Sequence, residues 1–100
     1  MDEYESVKKM VENLIILQDK ALIYVEHDIN NFIKFKMKND VIAERFFDKL
    51  LDMFQTQRVL DLYKKLGEYY YNINPKLVED YMKIYNEFYL NDKDEKIKKK

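Results

Sequence analysis

"LGEYYYNINP", residues Leu66 to Pro75, holds the only glycine and the only proline of the 100 residues, with three consecutive tyrosines between them. Asn74 followed by Pro75 has the form of a helix start. An Asn side chain can accept from the first turn, and proline lacks an N–H at the first helical position, where no intrahelical partner exists for one. At about 100° per residue, Tyr70 lies at the centre of an apolar stripe with Val59, Leu60, Tyr63 and Leu66. Tyr69 and Tyr71 fall about 100° to either side of it, half in and half out. Gly67 flanks the same stripe, where a missing side chain lets a neighbouring helix come close, at about 1 kcal/mol of helix propensity relative to Ala. The stretch reads as a helix end, a tight turn and a helix start.

Working outward, residues 75–90 form a fourth helix that buries Val78, Tyr81, Tyr85 and Phe88, with Leu77 and Tyr89 at its margins. Beyond it, "NDKDEKIKKK" at 91–100 has one apolar residue in ten and reads as a flexible lysine-rich tail. On the other side, the stripe over 58–71 sits about 160° round a straight helix from the preceding one, so the chain breaks near Gln55–Gln57 with Thr56 as a cap. The preceding segment, 41–54, carries Ala43, Phe46, Phe47, Leu50, Met53 and Phe54 on one face, with Asp40 as its N-cap. Residues 3–37 form one long amphipathic helix of about 50 Å. Tyr4, Val7, Met10, Val11, Leu14, Leu17, Ala21, Tyr24, Val25, Ile29, Phe32 and Phe35 fall on one side of it. Asp2 and Glu5 have reduced capping-box spacing at its start, and "KND" at 38–40 supplies its stop.

These segments predict an all-α fold: a compact helical bundle of about four helices with one unusually long N-terminal helix, a single domain over 1–90 followed by the tail. Apolar residues at 47% and charged residues at 37% fit a globular chain with a salt-rich surface. No cysteine is present, which excludes disulfides and thiol chemistry and fits a reducing, cytoplasmic setting. No apolar run exceeds five residues ("LIIL" at 14–17, "ALIYV" at 21–25) and no charged-then-apolar leader opens the chain, so no membrane association is expected.

Net charge is −1, but the last five residues carry four lysines, leaving fourteen basic against nineteen acidic side chains in the body. An acidic body is a poor match for phosphate backbones. Lys34, Lys36 and Lys38, with Asn30 and Asn31, make a basic patch that reads first as favourable charge at a helix C-terminus. It also supports an alternative reading, a nucleic-acid-associated subunit using that patch, Arg45, Arg58 and the tail.

Catalytic vocabulary is thin. His27, the only histidine, projects from the polar side beside Glu26 as a solvated residue. Ser6 and Thr56 have no base at helical spacing. Acidic residues alternate with lysines as surface pairs. No enzyme activity, cofactor or metal is expected.

Two features resist a pure core reading. Ile16 and Ile23, one heptad apart with Lys20 between them, form a narrow second apolar strip. The long helix also exceeds its partner segments, so either the other three helices divide its length or a second copy covers it. The expected outcome is a homodimer built mainly on residues 4–35, with Ile16, Lys20 and Ile23 in its interface and Tyr69 and Tyr71 as further contact residues.

Tyr63, Leu66, Gly67 and Tyr70 match the aromatic-x2-Leu-Gly-x2-Tyr spacing of a tetratricopeptide first helix, and so this segment resembles that family of peptide-binding helical repeats. The next helix departs from the pattern, with Glu79 and Asn86 where small residues belong. The resemblance implies a divergent peptide binder. The residues themselves point first to a non-enzymatic interaction module (an adaptor, an inhibitor or immunity-type factor, or a small subunit of an assembly) with a protein partner of unknown identity.

Overall fold

The computed structural model describes residues 3–90, and 85% of them are helical. The helices are α1 (Glu3–Lys34), α2 (Asp40–Leu51), α3 (Gln57–Tyr71) and α4 (Pro75–Tyr85), and α4 runs into a π-helical turn over Asn86–Leu90. No strand occurs among the described residues. The all-α bundle with a long first helix is therefore the fold. Asp2 and the tail at 91–100 lie outside the described residues.

Helix boundaries follow from local polar chemistry. α1 ends three residues before the expected 37, in a Schellman closure. The Met37 N–H donates to the Phe32 carbonyl at 3.0 Å and the Lys36 N–H to that of Ile33 at 3.0 Å, with Lys36 left-handed at φ 53° where glycine is usual. α2 is capped by Asn39, whose side chain accepts from the Ile42 N–H at 3.1 Å; Asp40, expected in that role, is instead the first helical residue. α2 ends at Leu51 rather than 54. The Gln55 side-chain amide turns back to donate to the carbonyls of Leu50 at 3.0 Å and Met53 at 2.7 Å, satisfying groups that a helix end leaves open. Thr56 caps α3 through the Val59 N–H, and Asn74 caps α4 through the Leu77 N–H, with Pro75 at the first position as its sequence demands.

The core gathers Leu22, Val25, Ile29 and Phe32 of α1 against Ala43, Phe47 and Leu50 of α2, the stripe Val59, Leu62, Tyr63, Leu66 and Tyr70 of α3, and Leu77, Val78 and Tyr85 of α4. Phe47 is its centre, stacked on Tyr81 at 4.8 Å and edge-on to Tyr63 at 5.1 Å. Gly67 is buried where α3 meets α4. A Cβ there would lie 2.5 Å from the Met82 methyl and 3.6 Å from Val78, so the close approach expected of this glycine is real.

Tyrosine hydroxyls tie the helices together. Tyr63 donates to the Tyr81 carbonyl at 2.7 Å, Tyr81 to the Asp48 carboxylate at 2.8 Å, and Tyr70 to the Asp40 carboxylate, which also accepts from the Asn74 amide at 3.1 Å. Burial raises the pKa of all three phenols. Asp40 adds to the effect at Tyr70, Asp48 at Tyr81, and the neighbouring Tyr81 and Tyr85 at Tyr63. Several residues expected on core faces are not core, among them Phe54, 45% exposed because α2 has already ended at Leu51. Phe88 is 67% exposed, because the π-turn rotates the end of the fourth helix, and Phe35 is exposed because α1 has already ended.

Candidate interaction surface

α1 enters the bundle only with its second half. Its attachments begin at Gln18, whose side-chain amide donates to the Phe54 carbonyl at 3.0 Å while its oxygen accepts the Phe54 N–H at 2.7 Å. Further along, Glu26 pairs with Arg58 at 3.2 Å and Asn30 accepts from Lys65 at 2.6 Å, sewing α1 to α3. Before Gln18 the helix projects alone. The Cα radius of gyration is 16.1 Å, above the ~13 Å of a compact chain of this length.

The projecting half keeps the apolar pattern of the buried half. Tyr4, Val7, Val11 and Leu14 continue the line of Leu22, Val25, Ile29 and Phe32, yet they are 74%, 57%, 40% and 45% exposed, while the second set is buried. Met10 and Leu17, beside that line, are open as well. The other three helices do not divide the length of α1 between them, and its first half has no cover within the described residues. The absence of tertiary support there is also a stability statement, since an isolated helix of this length is marginal in water.

The residues singled out by sequence fall into three places. Ile16, Lys20 and Ile23 are exposed on the side of α1 turned away from the bundle, about 100° round the helix from Met10 and Leu17. Lys34 and Lys38 are exposed at the junction of α1 and α2, where the Lys34 ammonium lies 5.6 Å from the Phe35 ring. Tyr69 is half-buried: its hydroxyl donates to the Met37 carbonyl at 2.7 Å and its ring meets the edge of Phe32, so it fastens the α1–α2 junction. Tyr71 is exposed and lines a shallow apolar hollow with Gly67, Val78 and Met82. These groups do not converge on one site. Arg58 is already engaged by Glu26, and His27 is exposed, with its Nε2 3.1 Å from the Asn31 amide. The uncovered face of residues 4–17 is the larger surface. Hydrophobic periodicity located that face but not its exposure, because the same spacing serves a core stripe and an open one.

Among the described residues, no helix is long and apolar enough to cross a membrane. No protein-family model, curated protein or solved structure matches the chain. The tetratricopeptide-like spacing is confined to α3; in α4 the positions where small residues belong hold exposed Glu79 and Asn86, and their neighbours Val78 and Tyr85 are the buried ones.

Proposed function

We propose that this chain is a helical protein-interaction module, working by docking rather than by catalysis as an adaptor, an inhibitor or immunity-type factor, or a small subunit of an assembly. Its working surface is the projecting half of α1. The observation that carries the reading is the continuation of the core stripe beyond the core: Tyr4, Val7, Val11 and Leu14 repeat the spacing of buried residues and are left open. Each well-covered aliphatic residue of that face contributes on the order of 1.5–3 kcal/mol when a partner buries it, which gives so marginal a helix a reason to be apolar. The bundle supplies a rigid base, and α1 is held to it by Gln18, Glu26 and Asn30.

The test is affinity capture from the native cell with the wild-type chain and with Val11→Glu/Leu14→Glu as baits, read by mass spectrometry. The reading expects a set of proteins retained by the wild type and lost by the variant while the variant's bundle stays folded. Identical capture by both baits overturns it.

A further inference from the structure

Two apolar lines run along the projecting helix. One, through Tyr4, Val7, Val11 and Leu14, extends the face that enters the bundle and shares Val7 and Leu14 with the second. The other repeats at three and four residues without interruption: Val7, Met10, Leu14, Leu17, Ala21 and Tyr24. That is coiled-coil spacing over about two and a half heptads. It lies roughly 80° round the helix from the bundle-facing line. All six residues are exposed; Leu14, the least open of the five larger ones, is 45% exposed and Tyr24 is 75%. The seam stays open at Ala21 and Tyr24 even though the adjacent Leu22 and Val25 are buried. Glu3 bounds it on one side, and Asp28 and Asn31 take the next positions on the other.

We propose that a second copy of this chain covers the seam, its α1 packed antiparallel with the dyad between Ile15 and Ile16. This rests on the reading of the projecting helix as an interaction surface. In that register Val7 faces the partner's Tyr24, Met10 faces the partner's Ala21, and Leu14 faces the partner's Leu17. The outer two layers pair a larger side chain with a smaller one, and the three layers are closer in volume than those of a parallel pair. A parallel pair would stack Ala21 on Ala21 and Tyr24 on Tyr24, a void beside a crowded layer, against the close packing interiors require.

The bundle-facing line separates the two orientations independently. Tyr4 and Val11 lie on the bundle side of the seam, and an antiparallel partner brings its own bundle alongside them. In a parallel pair both bundles sit at the far end and that line remains in water. Lys20, on the other flank, faces the partner's Asn13, so no like charges meet there. The exposed tyrosines offer on the order of 150 Å² each, and the two lines together offer at most roughly the 800 Å² per partner of a standard interface. The interface is isologous and closes on itself as a twofold dimer.

The chain has no cysteine, so orientation can be read by disulfide trapping. Light scattering on the wild type is expected to give roughly twice the 12.4 kDa chain mass, falling to the monomer mass for Leu14→Lys/Leu17→Lys with its bundle helicity retained. Ile16→Lys/Ile23→Lys, on the side turned away from the bundle, is expected to remain dimeric. A mixture of Met10→Cys and Ala21→Cys chains should oxidise to the mixed dimer, with little self-linkage of either alone. Self-linkage of each variant without mixed product means a parallel pair and overturns the proposal. So does dimerisation lost with the Ile16/Ile23 variant but not with the Leu14/Leu17 variant. A wild type that stays monomeric at its highest soluble concentration also overturns it; the broader reading then survives if Val11→Glu/Leu14→Glu loses foreign partners and fails if it does not.

Discussion

Gln18 and Phe54 hold each other by two hydrogen bonds, one in each direction, at the point where α1 leaves the bundle. Upstream of that clamp the apolar side chains of α1, half-buried Ile15 apart, are exposed; downstream, its bundle-facing ones are buried. The pair also holds the extended backbone after α2, fixing the break that lets the faces of α2 and α3 share one core.

Gln18→Ala removes both bonds, leaving the Phe54 N–H to water and its carbonyl to the Thr56 N–H alone. The expected cost is about 1 kcal/mol, read as a lower urea midpoint with an unchanged denaturant slope, since the exposed surface of the unfolded chain is the same. Amide exchange should quicken towards Leu22, because the clamp sets the limit of fraying.

Phe47→Ala should destabilise the bundle by about 3–5 kcal/mol and Leu50→Ala by about 2–5 kcal/mol, since both side chains are fully buried at the meeting of α2, α3 and α4. Urea unfolding followed by far-ultraviolet circular dichroism measures both. Losses below 1 kcal/mol would remove α2 from the core.

Gly67→Ala tests the opposite expectation. The nearest atom to the new methyl is the far end of Met82, which borders an open hollow and can swing into it. Helix propensity gains about 1 kcal/mol at the same time. The net change should lie within about 1 kcal/mol, whereas Gly67→Leu should force α3 from α4 and lower the thermal midpoint clearly.

Alkaline stability follows from the tyrosine clamps. Tyr63, Tyr70 and Tyr81 are raised above the ordinary value of 10.0 in the fold, chiefly by burial. Above that pH the unfolded chain releases phenolic protons that the folded chain keeps, so the folded state is favoured less as pH rises. Their contribution is complete below about pH 10 and declines above it. Urea midpoints compared at pH 8 and pH 11 should fall at the higher value, and less steeply in Tyr81→Phe. A midpoint independent of pH across that range would contradict the clamps.

The α3–α4 hairpin was legible in the sequence because its signals are local: Thr56, Asn74 and Pro75 act on backbone within three residues of themselves. The end of α1 was not, because a lysine occupies the left-handed position where glycine would have announced it. Nor was the early end of α2, which depends on Gln55 and on Gln18, 36 residues upstream of Phe54. Tyr63, Tyr70 and Tyr85 were read correctly as core, whereas Tyr4 and Tyr24 on the α1 stripe are exposed; periodicity also carries no information about where a hydroxyl points, so the bonds to Asp40 and Asp48 were hidden. The candidate surface was half visible. Residues 4–17 have the pattern of a face, and only the lengths and placement of the other helices decide whether anything lies against it.

The most direct test of the antiparallel pair is amide hydrogen exchange of residues 4–17 against residues 22–33, measured across a wide range of protein concentration. Self-association predicts that protection of 4–17 grows with concentration as the seam is covered, while 22–33, held by the bundle at every concentration, stays protected throughout. Absence of protection over 4–17 at every concentration would contradict the account.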